Sequence, residues 1–252
     1  MRIRAHKIKD KGRTGKIGRW ILDFLTNRKQ VVTANGAKSG EITVKSSVPQ
    51  GTVLAPALFL IYIDDIGQEL ERRIDIRSFA DDTSVGNSIQ SEDDHILLQQ
   101  SIDRIYGWTE NNNMQFNSRK FQVLRFGKNE ELKQLRYTTS DLDEIQDVEH
   151  AVSLGVTFSN DGTFKEHINK TILKCKRKSS FILRSFRARD EESMLTLWKS
   201  QVVSKIDYGA PLTNAATQDQ RRRIEGLQKA IKTLLSPETT REIFDHLHVE
   251  NP

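Results

Sequence analysis

Phe79-Ala80-Asp81-Asp82 ends an alternating run of apolar and polar residues, 74–78, and precedes a second run, 83–87, that can return along it. A period of two residues on both sides of a short polar segment predicts a β-hairpin. Neighbouring carboxylates repel each other, and a divalent cation with oxygen ligands offsets that repulsion. The stretch therefore predicts two strands with an acidic tip that is a candidate metal site. Taken alone, the dipeptide is more typical of a solvated loop.

The segment 62–65 places a second aspartate pair after an aromatic residue, with the same spacing as 79–82. The apolar residues around this second pair recur with the period of a helix, which we expect at about 54–66. Carboxylates at the C-terminal end of a helix oppose its dipole and prefer water. We therefore predict that Asp64 and Asp65 lie on the surface.

Charge is distributed unevenly along the chain of 252 residues, whose formal net charge is +5. Residues 1–29 carry ten basic and two acidic side chains, residues 59–160 carry ten and nineteen, and residues 165–205 carry eleven and four. Basic flanks can neutralise phosphates and an acidic centre can hold cations, which suits a metal-dependent enzyme acting on a polyanion. For any one segment, a solvated helix face is the alternative explanation.

Composition excludes several classes of protein. The single cysteine, Cys175, leaves no internal disulfide. The longest apolar run, 53–63, is too short to span a bilayer, and the basic N-terminal segment lacks the apolar part of a signal peptide. We expect an intracellular protein with no membrane partner, in either the nucleus or the cytoplasm.

The remaining pattern predicts helices and strands in one chain, with a boundary near residue 160. Because βαβ units are not repeated, the expected fold class is α+β and not a doubly wound sheet. The expected helices lie at 17–25, at 54–66, after a cap at Ser91, and at 164–187, 190–206 and 217–235. The expected strands lie at 30–34 and 41–45 about an Asn35-Gly36 turn, at 115–117, at 121–126, near 145, and at 152–158.

Four segments in order resemble a reverse transcriptase, most nearly the non-LTR, LINE-type enzymes of jockey-like retrotransposons. The resemblance covers nearly the whole chain, and the later helices, 168–235, are similar to the thumb region of that family. The segments are Val48-Pro49-Gln50-Gly51 leading into a helix with Pro56, then Phe79-Ala80-Asp81-Asp82, then Trp108 with Asn117-Ser118-Arg119-Lys120, and then Leu154-Gly155-Val156.

The resemblance implies a fold and an activity. The fold would be a partial right-hand polymerase palm, an antiparallel sheet with packed helices, over residues 1–160, and an all-helical thumb-like region over 161–252. The activity would be RNA-directed DNA polymerisation by two-metal nucleotidyl transfer. Its cofactor would be Mg²⁺, with Mn²⁺ possible, and its partners an RNA template, a DNA primer and deoxynucleoside triphosphates.

The resemblance also assigns roles to individual residues. Asp81 and Asp82 would hold the metal, with Asp81 as the main ligand, and Lys120 would assist at the pyrophosphate. The nucleotide and primer–template would contact Gln50, Gly51, Phe79 and Ala80. Nucleic-acid phosphates would contact Lys174, Lys176, Arg177, Lys178, Arg184 and Arg187.

Simpler explanations exist for several of these residues. Residues 49–51 can be only the turn before a helix, and Lys120 can be an ordinary exposed lysine. Surface cations such as those at 174–187 are individually more often solvated. The side chain of Phe79 suits the protein core better than a substrate.

The family pattern is not complete in this sequence. Two-metal polymerases use a further carboxylate from a strand that precedes the helix expected at 17–25, and the only acid there, Asp10, has no strand pattern around it. We therefore expect the chain to start after that motif, without fingers or an endonuclease, and to be inactive alone. A truncated or domesticated nucleic-acid-binding relic is thus the alternative function, and a basic binding module without polymerase ancestry is a third.

Overall fold

The computed structural model describes Lys7 and residues 15–44, 48–127, 129–186 and 190–232. Helices alternate with short strands in these segments, which confirms the predicted mixture of α and β structure. The α-helices are α1 Gly15–Leu25, α2 Ala55–Ile63, α3 Glu92–Asn111, α4 Glu130–Lys133, α5 Lys165–Ser185, α6 Glu191–Trp198, α7 Ser204–Asp207, α8 Ala210–Thr213 and α9 Gln218–Lys232. The strands are β1 Lys29–Gln30, β2 Thr33–Ala34, β3 Ala37–Lys38, β4 Ile42–Thr43, β5 Asp75–Phe79, β6 Asp82–Gly86, β7 Gln122–Leu124, β8 Gln146–Val148, β9 His150–Ser153 and β10 Val156–Ser159. A 3₁₀ turn covers Ser118–Lys120, and a π-helical segment, Lys199–Val203, joins α6 to α7.

In the described part of the chain the strands pair two by two and do not form one continuous sheet. The antiparallel pairs are β1–β4, β2–β3, β5–β6 and β9–β10, and β7 pairs with β8. Two-stranded ribbons are only marginally stable in water, so these pairs depend on contacts with helices and loops.

One tight turn was predicted from the sequence and a second was not. Asn35 and Gly36 have φ of 50° and 80°, so the predicted turn between β2 and β3 is confirmed with a residue type suited to it. The strand predicted at 152–158 is wrong, because Leu154 and Gly155, with φ of 48° and 80°, form a turn between β9 and β10. The apolar pattern runs through this turn without a break, which hid the hairpin.

Other boundaries differ by smaller amounts. No strand forms at 115–117, and the helix expected to reach residue 66 ends at Ile63. The capped start of α3 is confirmed: the Ser91 hydroxyl accepts a hydrogen bond from the Asp94 backbone, while the Asp94 carboxylate accepts one from the Ser91 backbone. The segment 236–252, which carries no clear pattern, lies outside the described residues.

The chain divides into two compact units. The first contains the described residues up to Phe121 together with Asn129–Gln146, and the second contains residues 122–127 and the described residues from Asp147 onward. This division by packing differs from the functional boundary expected near residue 160, which stays a prediction. None of the described helices is long and apolar enough to cross a lipid bilayer.

The core of the first unit forms around α2, which is apolar along its whole length. Its buried side chains include Leu58 and Tyr62, which pack with Ile21 of α1 and with Trp108 of α3. Pro56 lies in the first turn of α2, where a missing N–H is tolerated. Burial of these side chains stabilises the packing of the three helices, and thereby the positions of the segments before and after α2.

A buried lysine ties the C-terminal end of α2 to α3. Lys7 is only 7% exposed, and its Nζ donates hydrogen bonds to Asp65 Oδ1 at 2.7 Å and to the Tyr62 carbonyl at 2.9 Å. Trp108 Nε1 donates to the same Asp65 oxygen at 3.0 Å, and the Tyr62 hydroxyl donates to the Asn112 carbonyl. The ammonium also lies 4.9 Å from the Tyr62 ring centroid and 4.8 Å from that of Trp108, within range of cation–π attraction.

The prediction that both carboxylates of the pair at 64–65 lie on the surface is therefore half wrong. Asp64 caps α2 and is exposed, but Asp65 is partly buried and balances the charge of Lys7. A charged ammonium inside a protein requires a paired acceptor, and Asp65 supplies it. The role of this aspartate is structural, and its partner is separated from it by 58 residues.

The second unit has its own core, built on one face of α5. Ile168, Ile172 and Cys175 of that face are at most 2% exposed and pack with Trp198 of α6 and with Val202 of the π-helical segment. Burial raises the pKa of the Cys175 thiol to about 11. The thiol is therefore uncharged and acts as a packing residue.

His167, also buried on α5, joins this helix to the β9–β10 hairpin. The Thr157 backbone N–H donates to His167 Nδ1 at 3.3 Å, which fixes a neutral ring with its proton on Nε2. Burial is the main cause that lowers the pKa of His167, and Lys174 and Lys170 add to the effect. Gly209 faces the other ring nitrogen so closely that a Cβ there would lie 3.0 Å from Nε2.

The Lys7–Asp65 pair gives a prediction for stability. Asp65→Ala leaves the buried ammonium of Lys7 unpaired, so we expect the free energy of unfolding to fall by about 3 kcal/mol. Urea denaturation followed by tryptophan fluorescence measures this change. Asp64→Ala is the matched control and should change stability by no more than about 0.5 kcal/mol; equal effects of the two substitutions would contradict the assignment.

The buried histidine gives a prediction for pH dependence. Since the pKa of His167 is lowered by folding from its model-peptide value of 6.5, the unfolded chain takes up the proton first. The contribution of the neutral His167 ring to the free energy of unfolding is therefore complete above pH 6.5 and is lost as the pH falls below 6.5. We expect His167→Asn, which keeps an acceptor near the position of Nδ1, to be less sensitive than the wild type to a change from neutral to acidic pH. Thermal unfolding across this range tests it, and parallel curves for the two proteins would refute it.

Candidate functional site

The predicted acidic hairpin is confirmed and has a two-residue turn. β5 pairs with β6 in a register that places Phe79 opposite Asp82, so that Ala80 and Asp81 alone form the turn. Ala80 has φ of 53°, which is uncommon for a residue with a Cβ. A positive φ at the first of two central residues is the signature of a type II′ turn, whose twist matches that of paired strands.

Both carboxylates of this hairpin are exposed to solvent, and so is the aromatic residue before them. Phe79 is 67% exposed, so the expectation that it packs in the core is wrong. The reason is that β5 belongs to a two-stranded ribbon, and most residues of this strand are exposed to solvent. The tip thus presents one ring and two carboxylates to the surroundings.

The carboxylates suit a hard divalent cation. Among the described residues, Asp81 has neither a hydrogen bond nor an ion pair that would occupy its oxygens. No group of three or more acidic, histidine or cysteine side chains forms in that part of the chain. Mg²⁺ is commonly bound by one or two carboxylates together with waters and substrate phosphates, so the pair at 81–82 fits such an ion.

The base of the hairpin is fixed to the first unit. Ile74 is buried, and Ile76 packs over Gly67, where an added Cβ would lie 3.0 Å from the isoleucine side chain. Arg73 donates a hydrogen bond to the Asp94 carboxylate at the start of α3. Hydrogen bonding from the Gln90 backbone is the main cause that lowers the pKa of Asp94, so the carboxylate stays ionised for Arg73.

The candidate nucleotide-pocket residues lie on a turn before α2. The Thr52 backbone N–H and hydroxyl both donate to the Pro49 carbonyl, at 3.4 and 2.9 Å, and Gly51 has φ of 82°. This is the geometry of a type II turn, which favours glycine at its third position. Gln50 and Gly51 are exposed, and a Cβ on Gly51 would meet nothing within 4 Å. The segment is a turn, as the simpler explanation held, and it also offers open space for a ligand.

Lys120 ends the 3₁₀ turn that follows α3 and is exposed. Its ammonium makes no hydrogen bond or ion pair within the described residues, although its backbone N–H donates to the Asn117 carbonyl at 2.9 Å. Gln50, Asp81 and Lys120 belong to the same compact unit, but no hydrogen bond or ion pair joins any two of them.

The basic side chains of α5 belong to the second unit and point away from its core. Buried and exposed positions alternate along this helix with helical spacing. The exposed cations that the resemblance selected are Lys174, Lys176, Arg177, Lys178 and Arg184, while Arg187 lies outside the described residues.

Two features of the structure were missed from the sequence. Asp65 has a structural partner, Lys7, that no local pattern indicates. Phe181 is 55% exposed among the cations of α5. A helical projection would have found Phe181, because it lies on the opposite side of α5 from Ile168, Ile172 and Cys175.

The turn at Gly51 gives a prediction for stability. Gly51→Ala meets no steric obstacle but forces a left-handed backbone on a residue with a Cβ, so we expect a loss of about 1–2 kcal/mol. Gly40→Ala is the matched control, since Gly40 also has open space but an ordinary φ. Its substitution should be neutral or stabilise by up to about 1 kcal/mol. Thermal unfolding of both variants decides, and equal melting temperatures would show that this turn does not require glycine.

Comparisons with known proteins find similarity to the same class of enzyme that the four sequence segments resemble. The chain is 27% identical over 225 residues to a probable RNA-directed DNA polymerase from transposon X-element of Drosophila melanogaster, covering 86% of this chain and 24% of that protein. It is 25% identical over 222 residues to the RNA-directed DNA polymerase from mobile element jockey of the same species, covering 82% and 24%. The jockey polymerase of Drosophila funebris is 24% identical over 221 residues, with the same coverage. The chain therefore spans about a quarter of the length of these curated relatives.

The family described as reverse transcriptase (RNA-dependent DNA polymerase) matches residues 2–158. This range holds the turn at Gln50 and Gly51, the acidic hairpin and Lys120, and it is more than half of the sequence. The chain belongs to the reverse transcriptase (RNA-dependent DNA polymerase) family.

Proposed function

We propose that this chain is part of an RNA-directed DNA polymerase of a non-LTR retrotransposon. The single observation that supports the proposal most is the acidic hairpin. Its sequence resembles the catalytic motif of the family, and its geometry exposes the two carboxylates side by side. Asp81 lies in a strained two-residue turn and Asp82 directly follows it, both exposed, in a chain that belongs to the reverse transcriptase family. Backbone strain in a loop of this kind is typical of functional sites.

Asp81 and Asp82 would hold Mg²⁺, or Mn²⁺ in its place. When bound, divalent ions in polymerases clamp the attacking and leaving oxygens of the nucleotidyl transfer. Asp81 is the better candidate because it lies in the turn itself, whereas Asp82 begins β6 and successive strand residues point to opposite faces. The exposure of Phe79 and the tight turn at Ala80 support their assignment to the primer–template side of the tip.

Gln50 and Gly51 would line the path of the incoming nucleotide. The support is the open space in front of Gly51, which lets a substrate approach the backbone, together with the exposed amide of Gln50. Lys120 would neutralise or protonate the departing pyrophosphate, a role that needs an exposed ammonium without a competing partner. Its lack of partners within the described residues is consistent with that role.

The exposed cations of α5 would contact nucleic-acid phosphates. Lys174, Lys176, Arg177, Lys178 and Arg184, with Arg187 beyond the described range, would supply the sequence-independent part of the affinity for template and primer. In the same scheme residues 1–160 would act as palm and residues 161–252 as a thumb-like region. The substrates would be an RNA template, a DNA primer and deoxynucleoside triphosphates, used inside the cell.

Primer extension tests the proposal. Because the chain alone is expected to be inactive, the test uses a full-length polymerase that contains this segment. That protein should incorporate nucleotides on a homopolymer RNA template with Mg²⁺, and Asp81→Asn should reduce incorporation to background, because an amide is a poorer ligand for a hard cation. Asp64→Asn is the matched control, since Asp64 is an exposed carboxylate in the same local sequence pattern and should be dispensable.

The contradicting results are equally clear. Incorporation that survives Asp81→Asn would remove this aspartate from the active site. Nucleic-acid binding by the full-length protein without any incorporation would favour the alternative function, a binding relic of a polymerase.

A further inference from the structure

The outward face of α5 combines cations with exposed apolar side chains. With about 3.6 residues per turn, Leu173, Arg177, Phe181 and Arg184 fall within roughly a quarter of the helix circumference. Leu173 is 46% exposed and Phe181 55% exposed. They lie opposite the buried stripe of Ile168, Ile172 and Cys175, so their exposure follows from the packing of the helix.

The surroundings of Phe181 are strongly basic. Along α5 seven Lys and Arg side chains are exposed, against one glutamate, Glu166, which pairs with Lys170 at 3.4 Å. Lys178 Nζ lies 5.7 Å from the centroid of the Phe181 ring. A ring in this position offers a π-face next to positive charges, which is the arrangement that single-stranded nucleic acid uses: phosphates meet the cations and a base stacks on the ring.

We propose that Phe181 is a stacking platform for an unpaired base, and that the outward face of α5 binds single-stranded nucleic acid in preference to a duplex. The proposal rests on the proposed nucleic-acid function and adds the kind of strand and the residue that selects it. Phenylalanine has no polar group with which to contact the base edges exposed in the grooves of a duplex. An unpaired base, by contrast, presents a free face to the ring.

An anionic membrane is the competing occupant of a basic helix. Helices that bind membrane surfaces bury a broad apolar face in the lipid. The broad apolar face of α5 is already used in the core of the second unit, and only two large apolar side chains lie on its outward face. Charge complementarity with phosphates and the isolated aromatic ring therefore favour nucleic acid.

Binding of a labelled oligothymidine of about 12 nucleotides to the full chain, measured by fluorescence anisotropy over a range of salt concentrations, tests the proposal. We expect Phe181→Ala to weaken binding about tenfold without changing the salt dependence, because the ring carries no charge. Arg177→Gln should instead reduce the slope of log affinity against log salt by about 0.7. A duplex of the same length should bind wild type and Phe181→Ala alike.

Phe126→Ala is the matched control, since Phe126 is 62% exposed in the same unit but lies outside α5. Circular dichroism verifies that each variant is folded. The inference is overturned if Phe181→Ala binds the single strand as the wild type does, if Phe126→Ala weakens binding equally, or if the duplex shows the same loss. Wild-type protein that binds anionic vesicles but no oligonucleotide would overturn the inference and the proposed nucleic-acid function together.

Discussion

Backbone pairing between Phe79 and Asp82 leaves two residues for the turn of the acidic hairpin, and the position of both carboxylates depends on this register. A slip by one residue would move every side chain of the strand to the other face of the ribbon. A two-stranded ribbon does not hold its register unaided. Here the buried side chain of Ile74 and the contact between Arg73 and the start of α3 fix its base.

Two aspartate pairs with the same local pattern have different roles because their surroundings differ. Helical periodicity before Asp64 and alternation before Asp81 were enough to distinguish a helix end from a hairpin tip. The sequence could not indicate that Asp65 is the counter-ion of Lys7, because that contact depends on how distant segments fold together. The same limit applies to Phe79: its side chain suits a core, and only the pairing of its strand shows that no core covers it.

Sequence signals predicted local structure correctly where a turn or a helix cap requires a particular residue type. Asn35-Gly36 forms the expected turn, and Ser91 with Asp94 forms the expected cap. The turn at Leu154 was missed because leucine seldom adopts a left-handed backbone, and the strand pattern continues through it. That turn is fixed from outside: the Tyr208 hydroxyl donates to the Leu154 carbonyl, and its ring packs where a Cβ on Gly155 would meet it at 3.4 Å.

Two candidate site residues, Gly51 and Ala80, have a left-handed backbone, but only one of them is a glycine. Gly51 takes φ of 82° without strain, whereas Ala80 takes 53° with a Cβ that disfavours it. Glycine at position 80 would relieve about 1 kcal/mol of strain, but it would also give the turn more freedom. Metal ligands act best when their geometry is fixed in advance. Under the proposed function, the strain at Ala80 would be the consequence of a turn that holds Asp81 in one orientation, and Gly51 would keep the backbone accessible to the nucleotide.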